Sequence, residues 1–186
     1  MKQPQRIMGI DPGTNILGYA FIDIISKKPV LHNLGVVRLD KYKDHHVKLL
    51  KIHERLCFLI ESFAPQEMAV EAPFFGKNVQ SMLKLGRAQG ASITAGMING
   101  LTVTEYSPKS IKQSITGSGN ASKEQVAAML QQMLKLITMP KYFDATDALG
   151  VAVCHHLKTS SPLAKKLGGN YTDWKAYIKA NPNKIK

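Results

Sequence analysis

A chain of 186 residues is long enough for one domain with a substantial core, and at this size roughly 70% of the unfolded surface is buried without a disulfide or structural metal. Twenty-five Lys and Arg against thirteen Asp and Glu leave a net charge of +12, the balance of a protein that meets a polyanion. Two cysteines without metal-ligand spacing exclude a disulfide scaffold and a zinc module, and no run of about 18 apolar residues marks a membrane span, so the chain reads as cytosolic with small buried hydrophobes at Cys57 and Cys154.

Residues 7–14 (IMGIDPGT) form a short apolar run that ends in Asp11 and a Pro-Gly turn, and a second apolar run follows over 16–24. This predicts a β-hairpin with Asp11 where the first strand stops. Residues 29–39 (PVLHNLGVVRL) read as a third strand that continues an antiparallel meander, closed by the polar segment 40–46. Over 47–63, Leu49, Ile52, Leu56, Leu59 and Phe63 recur at spacings of three and four, the pattern of an amphipathic helix that stops before Pro65.

A short strand over 67–71 then ends in Glu71, and strand ends of this kind are where open α/β sheets place functional side chains. The following APFFGK sets Phe74, Phe75 and Lys77 between turn formers, a loop pattern in which the aromatics are exposed. A helix over 78–99 carries Gly86, Gly90 and Gly96 in its interior, each costing about 1 kcal/mol against Ala, which calls for close approach of another backbone within the chain or across a dimer. Residues 101–106 read as a further strand, and Ser107-Pro108 opens a short helix. Residues 115–121 (ITGSGNA) form a flexible loop between Lys112 and Lys123. Ser122 and Gln125 make a capping box for a helix whose face is Val126, Met129, Leu130, Met133, Leu134 and Ile137, ending at Pro140. The last core helix begins with Asp144 and Asp147, three apart and on one face. Residues 159–186 form a basic C-terminal tail able to make a short helix around Trp174, Tyr177 and Ile178, so residues 1–158 make the folded domain.

Asp11, Glu71, Asp144 and Asp147 thus come from two strand ends and one helix start. Four carboxylates do not gather without cost unless a cation intervenes, and oxygen-only ligands select hard ions such as Mg²⁺ or Mn²⁺. Two such ions bind both sides of a scissile phosphodiester, and a basic surface holds the strand. Together these features point to a nuclease.

The segments IDPGTNILGYA, VEAPFFGKNVQSMLKLG, PKSIKQSITGSGNASKEQV and DATDALGVAVCHH, in this order, resemble the signature blocks of the RuvC family of crossover-junction endodeoxyribonucleases. The resemblance implies a ribonuclease H-like α/β fold: a five-stranded mixed sheet, its first three strands antiparallel, flanked by helices. It implies four metal ligands at Asp11, Glu71, Asp144 and Asp147; around two Mg²⁺ ions, our own expectation for their division is that Asp11 bridges, Glu71 and Asp144 hold one each and Asp147 completes a shell or orients water. It also implies a junction-inserting aromatic at Phe74, phosphate contacts at Lys112 and Lys123, and a DNA-facing region that includes Phe75, Lys77, Lys84 and Arg87. The implied activity is resolution of Holliday junctions by a cytoplasmic bacterial homodimer, through paired symmetric nicks with 5′-phosphate and 3′-hydroxyl ends, alongside the RuvA and RuvB branch-migration proteins. Two features depart from the family pattern: Pro73 stiffens the aromatic loop, and the tail from about residue 160 matches no motif.

Two other classes compete. Actin-hexokinase phosphotransferases also place an Asp-x-Gly-Thr turn after a first strand, but this chain has length for one such lobe and no second Gly-Thr turn. A non-catalytic ribonuclease H-like module is opposed by the presence of all four acids, whereas an RNA-directed one would share them, and only the Phe74-Phe75 loop favours junction DNA over RNA.

Overall fold

The computed structural model describes residues 4–73, 78–138, 140 and 142–160. Its centre is a five-stranded sheet in the order β3-β2-β1-β4-β5. Strands β1 (Gln5–Asp11), β2 (Ile16–Ile25) and β3 (Lys28–Arg38) form the expected antiparallel meander. Strands β4 (Glu67–Glu71) and β5 (Thr102–Tyr106) add parallel to β1, and β3 and β5 are the edges. Helices cover both faces, so the central strands are buried on both sides and read as continuous apolar runs.

Side chains alternate between the two faces. Met8, Ile10, Leu17, Phe21, Met68 and Val70 point to one core, closed by α1 (His45–Phe63) and α2 (Val79–Ile98). Ile7, Ala20, Ile22 and Ala69 point to the other, closed by α3 (Pro108–Thr116), α4 (Lys123–Leu134) and α5 (Phe143–Ser160). Because α5 and α1 both run antiparallel to β1, their N-termini lie at the sheet edge where β1 and β4 end.

Two glycines seat α5. A Cβ on Gly9 would overlap the backbone carbonyl of Ala148, and one on Gly18 would overlap that of Asp144. The helix therefore lies flush on β1 and β2, with its acidic first turn beside the end of β1. The interior glycines of α2 behave differently from one another. Gly96 leaves room for Met68 and Val103 of the sheet, so its close approach is within the chain, whereas Gly86 and Gly90 have no neighbour among the described residues within 4 Å of where a Cβ would stand.

Several boundaries shift for local reasons. Asp44 caps α1 by accepting the Val47 N–H at 2.9 Å, which draws residues 45 and 46 into the helix instead of the preceding loop. Ile115 and Thr116 belong to α3, whose end is set by Gly117 at φ 79°, so the flexible loop is shorter than expected. α4 stops at Leu134 instead of running to Pro140: Lys135 turns left-handed at φ 52° and Leu136 N–H bonds the Gln131 carbonyl at 3.0 Å, a Schellman end. Ile137 is consequently outside the helix and 95% exposed, not part of its buried face. Met129, also expected on that face, is exposed. Cys154 is buried as expected, while Cys57 is only half-buried, and both are free. α5 extends to Ser160, past the boundary drawn at 158, and the tail with Trp174, Tyr177 and Ile178 lies outside the described residues. Among the described residues no helix is long and apolar enough to cross a membrane.

Candidate active site

At the edge where β1 and β4 end, a cleft of about 550 Å³ opens between the sheet, α3, α4 and α5. Asp11 enters it from the last residue of β1 and Glu71 from the last residue of β4, as their strand-end positions require. Asp147 reaches it from the first turns of α5, with Asp144 one turn before and close enough to act on Asp11 through its charge. A helix N-terminus favours carboxylates there through its dipole.

The opposite wall is basic. Ser107 caps α3 and Pro108 sets its first turn, and with Ile111 and Ile115 buried, Lys112 points into the cleft. The capping box between Ser122 and Gln125 is complete, each side chain bonding the other residue's backbone N–H, and it fixes Lys123 as the first residue of α4. Lys123 Nζ lies 2.6 Å from Asp147 Oδ2, with the two side chains 61% and 25% exposed. Lys109 and Asn120 line the same cleft. Neither was expected there, and the loop length that brings Asn120 in carries no sequence signal of its own.

The electrostatics are those of acids short of counter-charge. Burial, then the charges of Asp147 and Asp144, push Asp11 from 3.8 up to about 7, against a lowering by Lys123. Burial, then Asp11 and Asp147, push Glu71 from 4.5 up to about 8, with Lys123 and Lys112 acting in the other direction. Lys123 is raised in turn, first by its hydrogen bond to Asp147. As they stand, no three His, Cys, Asp or Glu side chains among the described residues close tightly enough to hold an ion. The acids ring the cleft and one cation, the Lys123 ammonium, has already been drawn to them. An oxygen-only donor set with unrelieved negative charge and a resident ammonium as stand-in fits a hard divalent cation.

The remaining expected DNA contacts divide. Lys112 and Lys123 are at the cleft. Lys84 and Arg87 are on α2, on the other side of the sheet, near enough to His45 of α1 to influence it, and they do not line the cleft. A smaller space of about 130 Å³ on that side joins Asp11 and Glu71 to Leu85 and Gln89 of α2. Phe74, Phe75 and Lys77 lie outside the described residues.

These features match known proteins along nearly the whole chain. The family model of crossover junction endodeoxyribonuclease RuvC matches residues 7–155. The RuvC of Cytophaga hutchinsonii is 56% identical over 180 residues, 97% of this chain and 88% of that protein. The structure of Thermus thermophilus RuvC has a TM-score of 0.77 at 32% identity, covering 83% of this chain and 95% of the other. That protein in complex with a Holliday junction substrate gives 0.75 at 29% identity, over 88% and 96%. The sheet order, the acids at its edge and these likenesses together place the chain in the RuvC family of crossover junction endodeoxyribonucleases.

Proposed function

We propose that this protein resolves Holliday junctions in DNA recombination and repair, hydrolysing phosphodiesters at the cleft lined by Asp11, Glu71 and Asp147, with Asp144 beside it one turn earlier on α5. The observation that carries the reading is the ring of under-compensated carboxylates facing Lys112 and Lys123 in a chain of charge +12. The four carboxylates would hold one or two hard ions, Mg²⁺ or Mn²⁺. The chemistry such an ion supplies when bound is Lewis-acid polarisation of water and of the phosphate oxygens. The chain's own part is to present the acids from rigid strand and helix ends and to bind phosphate. Lys123 can leave Asp147 for a phosphate oxygen without moving its backbone, because the capping box holds its Cα in place. Lys112 approaches from the neighbouring helix.

The substrate class is supported by the Thermus thermophilus relative, whose complex holds a Holliday junction. A junction with approximate two-fold symmetry suits a homodimer that sets one site on each of two strands. On α2 the apolar side chains Val79, Leu83 and Met97 are exposed, and Gly86 and Gly90, on the same stripe, leave room for a second backbone. Sedimentation of the full chain should therefore give twice 20.5 kDa, and a monomer at micromolar concentration would remove the dimer. Insertion of Phe74 at the crossover, a bacterial cytoplasmic setting and work with RuvA and RuvB are the further parts of this reading that rest on the family resemblance.

The test is a denaturing gel of a mobile four-way junction incubated in Mg²⁺, with Ca²⁺ and Asp11→Asn as controls. Paired symmetric nicks that a ligase reseals, absent in both controls, are expected. Binding without nicks in Mg²⁺ or Mn²⁺ would instead make the protein a non-catalytic module, and preference for an RNA duplex would make it an RNA-directed relative.

A further inference from the structure

Phe143, Asp147, Gly150 and Cys154 follow one another along α5 at spacings of four, three and four residues, and so share one stripe of the helix. The last three of them face α3 and α4. Cys154 Sγ lies 3.4 Å from Ser114 Oγ, a Cβ on Gly150 would stand 3.3 Å from Ile115 Cδ1 and 3.7 Å from Leu130 Cδ1, and Asp147 Oδ2 meets Lys123 Nζ at 2.6 Å. Phe143 continues the stripe one turn beyond Asp147, and its ring is 63% exposed. Because helical side chains lean toward the N-terminus of their helix, this ring projects outward past Asp147, over the mouth of the cleft.

The phenylalanines found elsewhere in the structure are covered. Phe21 and Phe63 pack on each other at 4.6 Å, and Phe58, though also exposed, carries the Arg55 guanidinium 4.8 Å from its ring centre. Among the described residues neither an aromatic ring nor a cation covers Phe143. Its backbone is nevertheless fixed. The Thr146 N–H meets the Tyr142 carbonyl at 3.4 Å where α5 opens, and the Asp144 carbonyl lies so close to Gly18 of β2 that a Cβ there would overlap it. An exposed ring on a rigid helix end has little conformational freedom to lose when a flat partner settles on it.

The wall that faces the stripe identifies the partner. Lys109, Lys112 and Lys123, with Asn120, line that side, a set of groups suited to a phosphate backbone. A strand held there presents bases, and every base has a face on which an aromatic ring can stack. One helical turn spans about 5.4 Å and one nucleotide step about 3.4 Å, so the base that meets the ring lies within about two nucleotides of the phosphate at Asp147.

We propose that Phe143 is a stacking platform for a base that flanks the scissile phosphate, and that it holds the cut strand in register with Asp11, Glu71 and Asp147. It rests on the resolvase reading of the cleft and deepens it. It is a different contact from the wedge expected at Phe74, which follows β4 and acts at the crossover.

The test compares wild type, Phe143→Ala, Phe143→Tyr and Ile137→Ala, all full-length, on a four-way junction that carries a single 2-aminopurine, placed in turn at each nucleotide neighbouring the cut mapped in Mg²⁺. Affinity and probe fluorescence are read in Ca²⁺. Phe143→Ala should weaken binding by roughly 5–150-fold, the range of one lost base-aromatic stack, and should brighten the probe at one of these positions, because a stacked 2-aminopurine is quenched. Phe143→Tyr keeps a ring and should match wild type in both readings. Ile137, 95% exposed on the segment before α5, reports on apolar surface as such, and Ile137→Ala should also match wild type. Weaker binding of Phe143→Ala without brightening at any position would make Phe143 a structural residue and overturn the platform. Unchanged binding and fluorescence, or an equal loss from Ile137→Ala, would overturn it as well. A wild type that cuts no junction overturns the resolvase reading itself, and the two failures are therefore distinct.

Discussion

Asp11 and Asp23 sit on neighbouring strands of one hairpin, both largely out of water, and their surroundings are opposite. Asp23, 8% exposed, receives the Arg6 guanidinium at 2.7 and 3.0 Å and His32 at 3.0 Å. The hydrogen bond from Arg6 holds its carboxyl below the usual range, ahead of the smaller effect of burial. Asp11 has acids for neighbours and is pushed up to about 7. At the far edge of the same sheet Glu67 is likewise engaged, by His155 and Gln5, and His155 in turn meets the Tyr106 hydroxyl at 2.9 Å. One end of the sheet closes its charges internally and the other leaves them open. Charges satisfied within the fold hold it together, whereas charges left open are available to an ion or substrate.

The sharpest way to break this contrast is to remove each aspartate. Asp11→Asn should lower junction cutting by roughly 10²–10³-fold or more, the scale of deleting one preorganised electrostatic group, while leaving metal-free stability at pH 8 unchanged or improved. Asp23→Asn should leave cutting per folded molecule intact and lower unfolding free energy by roughly 1–3 kcal/mol, because the half-buried Arg6 loses its carboxylate and keeps only the Phe63 carbonyl and His32. Denaturant melts and single-turnover cutting of both variants decide the matter. If Asp23→Asn lost cutting and kept stability, or Asp11→Asn did the reverse, the division between the two edges would be wrong.

The open edge was legible because its parts are local. A strand that stops at a carboxylate before Pro-Gly, a second that stops at Glu71, and two acids three apart at a helix start are patterns within a few residues, as is the Ser122–Gln125 box that places Lys123. The long apolar runs of β1, β2 and β4 mark strands buried on both faces. Contacts between distant segments were not legible. Gly9 and Gly18 look like ordinary strand glycines until α5 lies against them, and an isolated Gly in a strand signals only that something approaches closely. Gly86 and Gly90 gave the opposite impression, since nothing among the described residues fills the space they leave. The end of α4 depends on Lys135 adopting a left-handed backbone, which no lysine advertises. Lys48 reads as a solvated helix residue until the Asn15 side chain is found against it.

A smaller effect tests the open edge without mutation, through pH. Asp11 and Glu71 bind their protons more tightly folded than unfolded, so their contribution to stability is complete below their ordinary values of 3.8 and 4.5 and drains away as pH rises through about 7 and about 8. Asp23 works in the other direction, stabilising above its ordinary value and losing that only in acid. His45 and His156, both lowered chiefly by burial, oppose the carboxylate effect below their ordinary value of 6.5, so the clean window lies above it. Between pH 6.5 and 8.5 the metal-free protein should lose roughly 2–3 kcal/mol, at 1.36 kcal/mol per pK unit, or about 5–10 °C in Tm for a domain of this size. Mg²⁺ should flatten the slope, since it binds the ionised carboxylates and so stabilises most where they are deprotonated. Thermal melts in chelator and in Mg²⁺ across this window give both curves. A chelated protein whose Tm stays level or climbs from pH 6.5 to 8.5 would show that the cleft already supplies the carboxylates with enough counter-charge, and the ammonium of Lys123 would then be a sufficient cation instead of a stand-in.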